Sequence, residues 1–258
     1  AFEPGSVMKT LTTGMSLDLG AVKPETNFTD PGCYKIDGYD ICNADGDENF
    51  VGRTFNMTKV LQYSLNTGVT WQLMQIGGGG INNKGKQEMY DFFTQKYRFG
   101  VKTGVQQPSE SAGVIYSPTS VQGTKARYAN MTFGQGMSTT MIQMAGAFSA
   151  SVNGGTYYQP TLIYGTVNDS EELTETAPIV SESDVLSQSA SSDLRNMMIE
   201  ARRASYRKSD NGYYVGAKTG SAQTYDSATG TYSTTRTAGT MVGFGADADG
   251  IARYVIMV

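Results

Sequence analysis

The most informative feature of this sequence is an absence: none of its 258 residues is histidine. Histidine is the usual general base at neutral pH and the commonest metal ligand, so a Ser-His-Asp triad is excluded. Because the chain has only two cysteines, a Cys/His zinc site is excluded as well. If the chain is a nucleophilic enzyme, a lysine or a carboxylate must act as its base. We expect neither a metal ion nor a cofactor.

Net charge and hydropathy also limit the partners that this chain can have. The net charge of −4 provides no basic field, which argues against nucleic acid or an anionic membrane surface as the main partner. No apolar run approaches the length of a transmembrane helix, and no signal peptide is present. Since the chain begins directly on a candidate motif, we expect that upstream segments have been trimmed away.

The two cysteines bracket a predicted hairpin, "CYKIDGYDIC". Asp37-Gly38 suits a two-residue turn, and counting outward from it places Cys33 opposite Cys42 on a non-hydrogen-bonded pair. Such a pair is close enough for a disulfide, which would indicate an oxidising, extracytoplasmic compartment. The alternative is two free thiols in a cytosolic hairpin, and compartment chemistry favours the disulfide.

The periodicity of the chain changes near Tyr213. Before it, apolar spacing predicts mainly helices, among them one from residue 6 to about 17 and a pair separated by a break at Gly68. Residues 101–135 are expected to be irregular. After it, three strands are predicted at 213–225, 237–247 and 252–258.

This order predicts an α/β fold in which an antiparallel sheet is flanked by helices, with a mostly helical subdomain and an active-site cleft between them. We expect one domain over residues 1–258, truncated at both ends. Its α/β subdomain would comprise residues 1–22 and 165–258, and its helical subdomain residues 23–164.

Three short motifs occur in the order Ser-x-x-Lys, Ser-x-Asn, Lys-Thr-Gly, a set known from serine β-lactamases and penicillin-binding proteins. They are Ser6 to Lys9, Ser64 to Asn66 and Lys218 to Gly220. Each also has copies elsewhere in the chain: Ser205 to Lys208, Ser209 to Asn211, Ser151 to Asn153, and Lys102 to Gly104.

Local context separates the motifs from their copies. A serine nucleophile benefits from a helix N-terminus, where the dipole stabilises negative charge. Ser6 follows Pro4-Gly5 and opens a predicted helix, whereas Ser205 lies at the C-terminal end of one. Lys218 lies in a predicted strand followed by two more, whereas Lys102 lies in irregular chain.

The segments "FEPGSVMK", "YSLNTG", "FGQGMSTTMIQMAGAFSASVNGGTYYQP" and "VGAKTGSAQ" extend these motifs. With them, the chain closely resembles class B penicillin-binding proteins, the monofunctional D,D-transpeptidases of cell-wall synthesis. The resemblance runs from Phe2 to the last residue. Two mild departures are Leu65, where the family often has a small residue, and Ser221, where threonine is usual.

The resemblance implies a serine acyl-enzyme mechanism on peptidoglycan stem peptides. Ser6 would be the nucleophile and Lys9 its base, kept partly neutral by burial and by the nearby Lys218. Ser64 would pass a proton to the leaving amine, and Asn66 would orient Lys9 and bind the substrate amide.

The resemblance also implies how the substrate is held. The backbone N–H groups of Ser6 and Ser221 would form the oxyanion hole. Lys218, Thr219 and Ser221 would bind the terminal carboxylate, and the peptide would lie along the strand that includes Gly220 and Gln223.

The resemblance further implies that β-lactams act as covalent inhibitors. It places the domain on the extracytoplasmic face of the bacterial membrane, with an upstream membrane anchor and a glycosyltransferase partner. Two alternatives stay open. One is a hydrolase, either a D,D-carboxypeptidase or a β-lactamase, although no Glu-x-x-Leu-Asn segment follows Ser64. The other is a non-catalytic β-lactam sensor.

Overall fold

The computed structural model of the chain describes residues 1–44, 47–205, 212–226, 231–247 and 250–258, with the side chains of 47–48 and 222–236 left out. The helices of these ranges are α1 (Met8–Asp18), α2 (Met57–Gln62), α3 (Asn66–Ile76), α4 (Asn83–Asp91), α5 (Lys125–Met131), α6 (Met141–Val152) and α7 (Gln188–Ser205). Short 3-10 turns occupy Gly5–Val7 and Asp47–Phe50, and a π-helix, Phe92–Lys96, continues α4.

The main sheet is formed by the last part of the chain. Strands β9 (Tyr214–Asp226), β10 (Thr231–Ala246) and β11 (Ala252–Met257) pair antiparallel in the order β11-β10-β9. The three predicted strands are therefore confirmed, although β10 begins six residues earlier than expected, with a register shift between Tyr232 and Thr237. Together with the helices, this sheet confirms the predicted α/β class.

The remaining strands form two-stranded ladders. They are β1 (Asn27–Thr29) with β4 (Thr54–Asn56), β2 (Cys33–Ile36) with β3 (Tyr39–Cys42), β5 (Tyr157–Tyr158) with β8 (Val180–Glu182), and β6 (Gly165–Val167) with β7 (Leu173–Glu175). In the β2–β3 hairpin, Cys33 pairs with Cys42 and Ile36 with Tyr39, as predicted. Cys33 and Cys42 form a disulfide whose Cα atoms are 4.2 Å apart.

Helix α1 is the central helix of the fold. Every residue from Met8 to Ser16 is buried, and the helix contacts α2, α3, α6 and α7. A Cβ added at Gly14 would lie 3.2 Å from the side chains of both Leu186 and Leu194, so the helix is enclosed closely. A helix surrounded on all sides is held rigidly by packing, and this rigidity fixes the position of Ser6 just before its first turn.

The predicted break at Gly68 is wrong. Helix α3 runs through Gly68, and the chain breaks instead at Ser64, whose φ is +58°. Gly68 has a steric role, because a Cβ there would lie only 2.5 Å from a methyl carbon of Val60. The glycine therefore allows α2 and α3 to pack closely.

The expectation that residues 101–135 are irregular needs a correction. Helix α5 lies within that range, and its N-cap Thr124 accepts a hydrogen bond from the backbone N–H of Arg127 at 3.2 Å. The division into subdomains stays a prediction. Helix α6, assigned to the helical subdomain, contacts β10 and β11 of the main sheet.

Candidate active site

A cleft of about 630 Å³ lies where α1, α2, α3 and the edge strand β9 converge. It is lined by residues of all three motifs and by the residue that follows the third: Ser6, Lys9, Ser64, Asn66, Lys218, Thr219, Gly220 and Ser221. These positions are far apart in the chain, so the fold brings the predicted site residues together. The described lining residues include lysine and arginine side chains and no carboxylate.

Ser6 lies in a 3-10 turn that leads directly into α1. Gly5, at φ +64°, donates its N–H to the carbonyl of Gly134 at 3.0 Å. A Cβ added at Gly134 would lie 2.3 Å from the carbonyl oxygen of Gly5. The backbone of the Phe-Gly-Gln-Gly stretch, residues 133–136, therefore packs closely against the turn that carries Ser6.

Strand β9 supports the same turn from the other side. A Cβ at Gly220 would lie 2.4 Å from the Thr240 hydroxyl and 3.1 Å from the backbone nitrogen of Val7. The Thr240 hydroxyl in turn donates to the carbonyl of Pro4 at 3.1 Å. Gly220 is therefore required for the close approach of the third motif to the first.

Lys9 joins the first motif to the second. Its side chain is buried, with 1% exposure, and its Nζ donates to the Ser64 hydroxyl at 3.0 Å and to the Ser64 carbonyl. A left-handed conformation costs a residue such as Ser64 about 1–2 kcal/mol. The bonds from Lys9 help to hold Ser64 in that conformation, in which its carbonyl and hydroxyl both face the Lys9 Nζ.

Lys218 lies across the cleft on β9 and is also buried, with 8% exposure. Its Nζ donates to the Thr219 carbonyl at 2.7 Å. Desolvation lowers the pKa of Lys218 to about 8, because burial disfavours the charged form. Most Lys218 side chains therefore remain charged at pH 7, but the charge is lost under mildly alkaline conditions.

Asn66 has a partner that the sequence did not suggest. Its Nδ2 donates to the carbonyl of Cys42 at 2.8 Å, which joins the second motif to the disulfide hairpin. This bond uses one of the amide's two donor hydrogens. The orientation of Lys9 by Asn66 stays a prediction. Asn43, next to Cys42, also lines the cleft and was not predicted from the sequence.

The copies of the motifs differ in their surroundings. Ser205 is exposed on the last turn of α7 at the cleft border, and its partner Lys208 lies outside the described residues, as does 209–211. The buried Ser151 hydroxyl donates to the carbonyl of Ala147. The side chain of Gln223 is likewise outside the description, and its backbone pairs with Thr237. A role for Gln223 therefore stays a prediction.

Comparison with known proteins agrees with this geometry. The family model described as the penicillin binding protein transpeptidase domain matches residues 1–258. The chain belongs to this family. The family resemblance inferred from the three motifs and their flanks is thus confirmed.

Curated relatives of the domain are much longer proteins. Penicillin-binding protein PbpB of Mycobacterium tuberculosis is 30% identical over 90% of this chain and 33% of its own length. Stage V sporulation protein D of Bacillus subtilis is 30% identical over 86% of this chain and 33% of its own length. The chain thus spans about a third of the length of these relatives.

Solved structures share the fold closely. The apo form of penicillin-binding protein 3 from Mycobacterium tuberculosis superposes with a TM-score of 0.82 at 28% identity, covering 99% of this chain and 56% of that one. Its complex with ampicillin superposes with a TM-score of 0.82 at 28% identity, covering 99% and 55%. In the described ranges, no helix is both long and apolar enough to cross a membrane.

Proposed function

We propose that this domain is a peptidoglycan D,D-transpeptidase that crosslinks stem peptides through a serine acyl-enzyme and is acylated by β-lactams. The observation that carries the proposal is the convergence of the three motifs in one cleft, with Lys9 bonded to Ser64. Relatives from Chlorokybus atmophyticus and Neisseria flavescens carry the name peptidoglycan D,D-transpeptidase, the second as a probable one.

In the first step the Ser6 hydroxyl oxygen attacks the carbonyl carbon of the penultimate D-Ala, while Lys9 removes the hydroxyl proton. The backbone N–H groups of Ser6 and Ser221 stabilise the oxyanion that forms. When the intermediate collapses, the C–N bond to the terminal D-Ala breaks, and the nitrogen receives a proton relayed through Ser64. An ester between Ser6 and the donor peptide remains.

Strand β9 binds the donor peptide. In the described sheet it is an edge strand, paired with β10 on one side only, so its other edge can pair with an extended peptide. The Lys218 ammonium and the hydroxyls of Thr219 and Ser221 bind the terminal carboxylate, and Gly220 and Gln223 lie on the same strand. The charge of Lys218 at neutral pH supports this role.

In the second step the amine of another stem peptide attacks the ester carbon, forms the crosslinking amide and releases the Ser6 oxygen, which regains its proton. Water is the competing nucleophile, and efficient hydrolysis needs a base placed to activate it. The sequence has no Glu-x-x-Leu-Asn segment after Ser64, which favours transfer to an amine over a hydrolase.

The disulfide hairpin supports an extracytoplasmic location, at the outer face of the bacterial membrane. We include in the proposal a membrane anchor in the longer protein and a glycosyltransferase that supplies the glycan strand. The alternative of a β-lactam sensor shares the cleft and differs in lacking turnover of peptide.

Acylation by penicillin tests the proposal directly. Intact-mass spectrometry after mixing with excess benzylpenicillin should show one adduct per chain, mapped to Ser6 and lasting minutes to hours. Ser6→Ala should show no adduct, and folded Lys9→Ala should show almost none. Ser205→Ala, at the border of the same cleft, is the matched control and should label like wild type.

Three other results would contradict the proposal. Normal labelling of Lys9→Ala would remove that residue from the mechanism. An adduct that disappears within seconds while the drug is consumed would indicate a β-lactamase. Stable labelling without crosslinking, when the protein is given a stem pentapeptide and an acceptor amine, would indicate a sensor.

A further inference from the structure

The N-terminus of α3, which carries Asn66, lacks a cap of its own. The N-cap residue is Leu65, whose buried side chain has no atom that can accept a hydrogen bond. The first N–H groups of a helix have no partners within it, and an acceptor placed there stabilises the helix. Another part of the chain must therefore satisfy these donors.

The disulfide hairpin supplies that cap. The Asn43 Oδ1, one residue beyond β3, accepts the backbone N–H of Thr67 at 3.1 Å and the Thr67 hydroxyl at 3.0 Å. The backbone carbonyl of its neighbour Cys42 accepts a hydrogen bond from the side-chain amide of Asn66 at 2.8 Å. Two consecutive residues of the hairpin thus bind two consecutive residues of the helix start.

Asp30 determines which end of the Asn43 amide faces the helix. Its Oδ2 accepts the Asn43 Nδ2 at 2.7 Å, so the amide oxygen must point towards Thr67. The other oxygen, Oδ1, accepts the N–H of Gly32 at 2.9 Å and lies 3.0 Å from the Thr67 hydroxyl, whose single hydrogen is shared between Asp30 Oδ1 and Asn43 Oδ1. Asp30 is 1% exposed, and these hydrogen bonds account for its burial.

We propose that Asp30 is a positioning residue for the second motif, acting through Asn43 and the Cys42 carbonyl to hold Asn66 in place. The inference rests on the proposed function, because it matters only if Asn66 takes part in acylation. A carboxylate suits this position because both of its oxygens face obligatory donors, the Asn43 amide and the Gly32 N–H. An amide at residue 30 would turn its N–H₂ group towards one of the two, donor against donor.

The disulfide closes the same hairpin at its open end. It joins Cys42 to Cys33, so the strand that carries the Asn66 acceptor is fixed covalently to the strand that follows Gly32. The Asp30–Asn43 hydrogen bond, the Thr67–Asn43 hydrogen bond and the disulfide therefore all restrain the short segment Cys42–Asn43. A small displacement of that segment would move Asn66 within the cleft, and a misplacement of about 1 Å can cost about a hundredfold in rate.

Acylation kinetics with benzylpenicillin test the proposal, with the saturating rate constant separated from the non-covalent dissociation constant. Asp30→Asn should lower the rate constant by about tenfold and change the dissociation constant less than about twofold. Asp37→Asn is the matched control. It makes the same chemical change at the turn of the disulfide hairpin, at a carboxylate that accepts the N–H of Ala126 at 3.0 Å, and should leave the rate constant unchanged.

A double-mutant cycle tests whether Asp30 acts through Asn66. In an Asn66→Ala background, followed over hours, Asp30→Asn should change the rate constant less than about twofold. An equal tenfold loss in both backgrounds would overturn the proposal, as would a wild-type rate constant for Asp30→Asn. A purely structural role would lower thermal stability without this dependence on Asn66.

A second pair of variants covers the case in which Asp30→Asn does not fold. Thr67→Val removes the hydroxyl that Asp30 and Asn43 share and should lower the rate constant about threefold. Thr67→Ser keeps the hydroxyl and should have the wild-type rate constant. Equal rate constants for the two variants would overturn the proposal. If wild type itself is not acylated, the proposed function fails and this inference with it. If wild type is acylated but the variants do not differ, only the inference fails.

Discussion

The chain contains the tripeptide Lys-Thr-Gly twice, and the two copies have opposite surroundings. Lys218 to Gly220 lies in the edge strand β9, where the lysine is buried and the cleft is in front of it. Lys102 to Gly104 lies in a loop, where the lysine is exposed. The hydroxyl of Thr103 donates to Glu110 of the same loop at 2.6 Å, and its N–H donates to that carboxyl at 2.8 Å.

The comparison shows what the tripeptide can bind and what decides whether it binds a ligand. In the loop, its hydroxyl and N–H groups hold a carboxylate from their own chain. In the strand, the same tripeptide borders the cleft, where we propose that it binds a substrate carboxylate. The difference comes from the sheet and from α1, and the three residues themselves are identical.

Replacing each lysine should give the largest contrast. Lys218→Ala should lower the rate of acylation by benzylpenicillin by about a hundredfold, because losing one partner of a desolvated charge pair costs about 2–5 kcal/mol. Lys102→Ala should acylate like wild type. The second-order rate constant from stopped-flow or intact-mass time courses checks both. Similar losses of acylation rate in the two variants would contradict the view that only the copy in the cleft takes part in acylation.

Replacing the glycine of each copy by alanine compares how closely the backbone of each copy is packed. Gly220→Ala would force β9 away from the turn that carries Ser6, since its Cβ would lie 2.4 Å from Thr240 Oγ1. We expect about a tenfold loss in acylation and about 1–3 kcal/mol of destabilisation. Gly104→Ala adds strain of about 1–2 kcal/mol at φ +82° and should acylate normally. Thermal melts beside the acylation assay separate these effects, and normal acylation of Gly220→Ala would contradict the close-approach argument.

The alkaline side of the pH dependence of acylation should report Lys218. Because its pKa is about 8, the charged fraction falls about fiftyfold between pH 8 and pH 10, so acylation should slow over this range and give an alkaline limb. Lys218→Arg keeps its charge and should move this limb beyond pH 10, whereas Lys102→Arg should leave it in place. A limb that stays near pH 8 in Lys218→Arg belongs to another group.

Sequence reasoning succeeded where a short stretch of chain determines its own structure. The Asp37-Gly38 turn sets the register of the hairpin, and with it the position of Cys33 opposite Cys42. The final three strands follow from local alternation and turns. The motif segments were identified by their order, and the structure brings them to one cleft.

Sequence reasoning failed where distant residues decide the outcome. Gly68 was interpreted as a helix break, because the neighbouring Val60 that makes glycine necessary is invisible in a linear pattern. The cap that Asn43 supplies to α3 joins residues 24 positions apart, and the orientation of its amide depends on Asp30. Short-range periodicity holds no information about such contacts.

The smallest expected effect concerns Glu110, the carboxylate that Thr103 binds in the loop copy of the Lys-Thr-Gly tripeptide. Desolvation raises the pKa of Glu110, but hydrogen bonds from Thr103 and Gly104 outweigh it, so the pKa lies below its ordinary value. The resulting stabilisation is present above the unfolded-state pKa and is lost as the pH falls through the folded-state pKa. Glu110→Gln should therefore lower the free energy of unfolding at pH 7 by no more than about 1 kcal/mol, since solvent screens this partly exposed site. Urea unfolding should show this difference shrinking below the ordinary glutamate pKa, with acylation unchanged throughout. A difference independent of pH would mean that the shape of the side chain, rather than its charge, holds the loop.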